Sequence, residues 1–207
     1  MPNYVTNKIV LIGSDENIKK VIAFVKSDES VFDFDKIVPM PETFKKYDTT
    51  NHDNARQMRV GEPLGWGGPI VTEEMIEEYK QATKEQMEEY GVVGWYDWSC
   101  KYWGTKWNAV SPEYHEPNSF TFDTAWSAPI PVLISLSKLF PEVKIDFEYA
   151  DEDCGCNTGI GKIVGGDIEA YYPSDNSDDA WNLYFDTHEW ARDEMHKDED
   201  GNWVWND

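Results

Sequence analysis

Between Ser119 and Tyr149 the chain changes its hydrophobic period twice, and this limits the fold more than any other feature. Ser119 to Trp126 alternates with period two, placing Phe120, Phe122, Thr124 and Trp126 on one face of a strand. Pro129 to Pro141 then carries an apolar stripe through Val132, Leu133, Leu136, Leu139 and Phe140, with prolines at entry and exit, as a buried helix of about three turns would. Next, Val143, Ile145, Phe147 and Tyr149 point one way while Lys144, Asp146 and Glu148 point the other. Strand, helix, strand, each with an apolar face, specifies a helix packed on a sheet.

The N-terminus opens with a similar unit. Tyr4 to Ile12 is a β-branched run closed by Gly13, Ser14 sits at a cap position, and Ile18, Val21, Ile22 and Val25 follow at helical spacing. Phe32 to Pro41 alternates and breaks at two prolines, which predicts a short extended edge segment. Residues 42–71 show no period and hold Gly61, Pro63, Gly65, Gly67, Gly68 and Pro69, including the Trp66-Gly67-Gly68-Pro69 loop. A long helix is predicted from the Thr72 cap to a left-handed Gly91, with Met75, Ile76, Tyr79, Ala82, Gln86, Met87 and Tyr90 on its apolar side. After Ala150 the pattern predicts glycine-rich strand material over Gly159 to Tyr172, a polar turn, and an aromatic strand or helix over Trp181 to Trp190. Trp203 and Trp205 are expected to dock back on the body.

Four of the ten tryptophans fall in one short stretch, Trp95, Trp98, Trp103 and Trp107, read as non-helical and serving as a core cornerstone or a recognition surface. With Tyr96 they are the candidate aromatic surface of an alternative function, a module that stacks single-stranded nucleic acid on exposed rings of the sheet.

Five blocks stand in this order: Met1-Pro2-Asn3-Tyr4-Val5-Thr6-Asn7, Phe34 to Pro41, Trp95 to Trp98, Trp103 to Ala109, and Phe122 to Pro131. Together they resemble the Api-like family of phage- and plasmid-borne proteins, over residues 1 to 150. The resemblance implies an α+β, ferredoxin-like antiparallel sheet with helices on one face and a large insertion at about 40–100. A strand near Lys106 to Val110 would complete the motif. It implies no catalytic residue, and it does not cover the acidic tail at 151–207, which is expected to extend the same sheet.

The chain has 18 basic and 40 acidic residues, a formal charge of −22, which argues against direct contact with duplex nucleic acid. The imbalance is uneven: residues 1–60 hold nine acids and nine bases, 61–150 fifteen and six, and 151–207 sixteen and three. Glu88 and Glu89, in the last turn of the long helix, oppose its dipole and are therefore not placed for helix stability.

Motifs for chemistry fail on inspection. Cys154-Gly155-Cys156 has no second ligand couple. His188-Glu189 has Arg192 where a zinc-hydrolase helix needs histidine. Gly159 to Gly166 has Val164 where a dinucleotide fingerprint needs glycine, so it reads as a bent or bulged strand. Asp175 to Asp179 lacks the glycine and distal glutamate of a calcium loop. No cofactor or metal is expected. Three cysteines, an odd number without a secretory leader, and no run of about twenty apolar residues predict a cytoplasmic protein of the bacterial host without a membrane span.

The resulting expectation is a non-enzymatic acidic protein of a phage or other mobile element that engages a basic site on a host protein. An anti-defence nucleic-acid mimic is its sharpest form. Its candidate contacts are Glu73, Glu74, Glu77, Glu78, Glu85, Glu88 and Glu89, with Asp175, Asp178 and Asp179 in the tail.

Overall fold

The computed structural model describes residues 2–45, 58–64 and 69–206. Strand β1 (Tyr4–Ile12) alternates strictly, burying Val5, Asn7, Ile9 and Leu11 on one face. Helix α1 (Asp15–Val25) follows at once, its first turn closed by the Ser14 side chain, which accepts from the Asn17 N–H. The partner unit is β2 (Val110–His115), β3 (Ser119–Ala125), α6 (Ile130–Leu139) and β4 (Lys144–Asp151). The sheet order is β2-β3-β1-β4-β5-β6, with every pair antiparallel. Its first four strands and two helices reproduce the ferredoxin-like β-α-β-β-α-β arrangement.

Strands β5 (Gly159–Val164) and β6 (Asp167–Tyr171) extend the sheet beyond β4. They form a hairpin around Gly165 and Gly166, at φ 58° and 94°, the backbone that a two-residue turn matching strand twist requires. The glycine-rich segment is therefore two strands and a turn. Opposite β4, Gly159 faces Tyr149 and Gly161 faces Phe147, and a Cβ on either glycine would lie within 2.6–2.8 Å of the facing ring. The missing side chains let these rings lie flat over β5.

Between α1 and β2 the chain places α2 (Phe34–Ile37), α3 (Glu42–Lys45), α4 (Glu73–Tyr90) and α5 (Gly94–Tyr102). Two expectations are corrected here. The Phe34 segment is a helical turn, because Asp33 caps it by accepting from the Asp35 N–H. Trp95 to Tyr102 is a helix as well, entered through Gly94 at φ 82°. Aromatic rows hide helical periodicity when both sides of a helix are packed. The strand expected near Lys106 begins at Val110. The excursion at 42–71 lies partly, and the Trp66 loop mostly, outside the described residues.

Helices α1 and α6 cover one face of the sheet over a core that includes Ile9, Leu11, Phe32, Phe34, Phe120, Phe122, Leu133 and Ile145. On the other face lies α7 (Asp178–Thr187), which packs Trp181, Tyr184 and Phe185 toward Ala150. Helical turn α8 (Ala191–Glu194) and the small ribbon β7 (Met195–Lys197) with β8 (Trp203–Trp205) close the tail. Trp203 meets Phe185 at 4.7 Å and Trp181 at 6.0 Å, and Trp205 stacks on Trp190 at 5.8 Å, so the terminal indoles do dock back.

Candidate partner-binding site

Helix α4 is built to stand with one side packed and one side open. Thr72 accepts from the Met75 N–H at its start, and Gly91, at φ 66°, closes its end. Its inner side packs Met75, Ile76 and Tyr79 against Met58, Leu64 and Val71. Near its C-terminus the buried Gln86 side chain ties three segments together, donating to the Thr43 carbonyl at 2.8 Å and accepting from the Gly94 N–H at 3.1 Å.

All seven predicted glutamates of α4 are exposed. At 3.6 residues per turn they fall within an arc of about 160°, opposite Tyr79 and Gln86, and extend over about 24 Å of axis. Lys80 lies just outside this arc and Lys84 within its edge, and they pair with Glu77 at 3.5 Å and Glu88 at 3.9 Å. Glu88 and Glu89 do oppose the dipole, but Lys101 from α5 donates to the Tyr90 carbonyl at 2.7 Å and Tyr102 donates to it at 3.1 Å. The helix end is thus stabilised from a neighbour that helix-local reasoning does not reach. The Glu89 carboxylate beside Tyr90 holds that phenol above its ordinary pKa.

The tail acids are placed differently. Ser177 caps α7 by accepting from the Ala180 N–H at 3.2 Å, and Asp178 and Asp179 fill the first turn, where the dipole favours them. Asp178 also pairs with Lys197 at 3.0 Å, Asp179 accepts from the Tyr171 hydroxyl at 2.8 Å, and Asp175 accepts from the Asn157 N–H at 3.1 Å. These three carboxylates hold the tail's own structure.

The aromatic candidates do not form a platform on the sheet. Trp98 and Trp103, at 2% and 6% exposure, are core residues rather than surface ones, because α5 turns them inward onto Phe44 and Phe34. The Trp103 indole donates to the Val38 carbonyl at 2.9 Å. Trp95 is half-buried against the same core. Tyr96 and Trp107 are half-buried, and with Trp126 they surround the Lys106 ammonium, which lies 6.0, 4.7 and 5.0 Å from their ring centres.

The sequence blocks that carry the family resemblance meet one another here. Asn108 donates to Asp33 at 2.7 Å and accepts from the Phe34 N–H at 2.9 Å. Thr105 donates to the Ala125 carbonyl at 2.8 Å and accepts from its N–H at 3.0 Å. Gly104 leaves room for Pro131, whose Cδ would lie 2.6 Å from an added Cβ. The blocks are docking surfaces between elements.

Residues 102–197 match the family model described as the ferredoxin-like domain in Api92-like protein. The fold is ferredoxin-like: the matched segment supplies β2, β3, α6 and β4 of that arrangement, and β1 and α1 complete it from outside the match. The match agrees with the family resemblance carried by the sequence blocks, and it reaches to residue 197, so it includes most of the tail that the resemblance left uncovered. A crystal structure of the protein api92 from Yersinia pseudotuberculosis is similar over 84% of this chain and 99% of that one, at 10% identity and a TM-score of 0.47. No curated protein matches the chain.

Of the remaining chemistry-bearing residues, Cys154 donates to the Tyr184 hydroxyl oxygen at 3.1 Å, and Gly155 lies flat on Trp181. Burial raises the Cys100 and Cys156 thiols above their ordinary values, which keeps them protonated near neutral pH. His188 stacks on Tyr184 at 4.6 Å, with its Nε2 3.2 Å from the Thr6 hydroxyl, which donates to Asp123 at 2.9 Å. Among the described residues no group of three or more His, Cys, Asp or Glu side chains converges on a metal-sized site. Among them no helix is long and apolar enough to cross a membrane.

Proposed function

We propose that this is a non-enzymatic interaction protein that presents the glutamate face of α4 to a basic site on a partner protein, in the manner of a nucleic-acid strand. The observation that carries the reading is the gathering of Glu73, Glu74, Glu77, Glu78, Glu85, Glu88 and Glu89 on one exposed face of an anchored helix. Seven carboxylates over about 24 Å average roughly one per 3.5–4 Å, in two groups separated by about 10.5 Å between Glu78 and Glu85, where Lys80 and Lys84 stand, against roughly 3.4 Å per phosphate along one strand of a duplex. A Lys/Arg groove shaped for phosphates would meet a comparable charge density on a rigid rod. Association would be steered by charge and would weaken with salt.

The setting we propose, from the family resemblance, is a phage or other mobile element acting on a host protein that handles nucleic acid, as an anti-defence factor. The test is capture from a bacterial host lysate at low salt, comparing wild type with a variant carrying glutamine at positions 77, 78, 85, 88 and 89. A basic nucleic-acid-binding protein held by wild type, released by duplex DNA and not held by the variant supports the proposal. A partner held equally by both, or single-stranded DNA bound directly by the protein alone, overturns it.

A further inference from the structure

The two edges of the six-stranded sheet are finished in different ways. Edge β2 is irregular: its register on β3 shifts between Val110 and Glu113, Ser111 sits at φ 47°, and Pro112 lacks an N–H. Bulges and prolines are the usual means by which an edge refuses further strands. Edge β6 has neither. It pairs with β5 in unbroken register over all five residues, and each of those residues is exposed. Its outer backbone groups face away from the sheet, open to another strand.

The side chains along β6 sort by face. Asp167, Glu169 and Tyr171 lie opposite Val164, Lys162 and Ile160, on the face that α7 leaves partly open. Ile168 and Ala170 lie opposite Ile163 and Gly161, on the face of α6. The open face holds a groove of about 680 Å³ floored by Lys8, Val10, Lys144, Glu148, Ile160 and Tyr171. Its lysines are neutralised within the groove: Lys8 by Glu148 at 2.9 Å, Lys144 by Asp146 at 3.0 Å and Lys162 by Glu169 at 2.9 Å. Among the described residues Asp167 has no such cation, and Asp179 adds a second acid beside Tyr171.

We propose that β6 accepts an extended segment of a basic partner protein as a seventh strand. The segment would alternate lysine or arginine, meeting Asp167 and Glu169 on the groove face, with apolar residues covering Ile168 on the other. Main-chain hydrogen bonds would supply affinity, and this alternation would supply specificity. A second copy of the chain is the wrong occupant. Antiparallel pairing about the centre of β6 sets Glu169 against Glu169 between two bodies of charge −22. The surface is distinct from the α4 face, and the inference does not rest on the reading of that helix.

The test uses the full chain and a fluorescein-labelled nonapeptide of alternating lysine and valine. A second peptide of equal charge, with its central valine replaced by proline, serves as control, and both are titrated at physiological salt. The expected result is binding of the alternating peptide and slowed hydrogen exchange confined to Asp167–Tyr171. Affinity should fall about tenfold or more for the proline peptide and for the Asp167→Lys, Glu169→Lys variant. Equal binding of the two peptides, protection located on α4 instead of β6, or no binding of the alternating peptide would each overturn the proposal.

Discussion

Helices α4 and α7 begin with the same local grammar: a hydroxyl cap followed by two acids, Thr72 before Glu73 and Glu74, and Ser177 before Asp178 and Asp179. From there they diverge. Along α7 the one acid after the first turn, Asp186, pairs with Arg192 at 3.3 Å, and Trp181, Leu183, Tyr184 and Phe185 are all buried, so its charge serves its own fold and its length serves the core. Along α4 the acids continue to the last turn, where they work against the dipole, and only Tyr79 and Gln86 are fully buried. Charge count alone treated the two segments as one acidic surface. Position within the helix separates an acid that stabilises its own fold from one left for another molecule.

The largest expected difference between the two regions is in stability. Trp181→Ala removes the ring beneath Gly155 and the contacts to Tyr184, Phe185 and Trp203. It should cost about 3–5 kcal/mol in a denaturant titration. A loss below about 1 kcal/mol would show that the tail is an appendage rather than part of the core.

Within α4 the sensitive residue is Gln86. Gln86→Ala leaves the buried Gly94 N–H and the Thr43 carbonyl without this partner and should cost about 1–3 kcal/mol. Amide exchange over residues 73–90 should accelerate, and exchange in β1 and β3 should rise by no more than the loss of global stability. An unchanged rate in α4 would mean that its anchor lies elsewhere.

Neutralising the acids should move stability in opposite directions. Asp178→Asn with Asp179→Asn removes favourable first-turn charge and the Lys197 pair, and should lower stability by roughly 0.5–1.5 kcal/mol. Glu88→Gln with Glu89→Gln removes unfavourable last-turn charge and should leave stability unchanged or raise it by several tenths of a kcal/mol. Thermal melts of the two pairs at low salt measure this directly, and equal effects would erase the distinction drawn between the regions.

A final, smaller effect is confined to the tail. Burial lowers the His188 pKa below its ordinary value of 6.5, outweighing the Tyr184 carbonyl and the nearby acids Asp123, Asp151 and Glu152, which raise it. The unfolded chain therefore takes up this proton first. The contribution is complete above the unfolded pKa and is lost as pH falls from there through the folded value. The slope of melting temperature against pH between neutral and mildly acidic conditions should be smaller in His188→Gln, and an identical slope would refute the assignment.

Much of the sheet was legible because its strands alternate cleanly. Val143 to Tyr149 announces a half-buried strand, and Ser14, Thr72 and Gly91 mark helix ends through local chemistry that survives in any context. The helix at Trp95–Tyr102 was not legible, because its aromatic side chains pack on Phe44, Tyr90 and Trp103 from several directions and leave no polar stripe to set the period. The Phe34 turn was obscured by Pro39 and Pro41, although Asp33, whose side chain closes that turn, stood in the sequence. The aromatic run after Ser177 fits strand and helix alike, yet its hydroxyl followed by two aspartates is a helix-start signature. As for the site, the residue types on α4 were readable, while the confinement of its glutamates to one open face depends on packing against Met58 and Val71.

The most direct measurement places two variants side by side. Wild type, a glutamine variant at positions 77, 78, 85, 88 and 89, and an asparagine variant at 175, 178 and 179 are immobilised at equal folded amounts and exposed to host lysate at low salt. If α4 is the partner surface, wild type and the tail variant hold the same basic protein, duplex DNA displaces it from both, and the α4 variant does not hold it. Retention by the α4 variant with loss in the tail variant would contradict the account and move the binding surface to the start of α7.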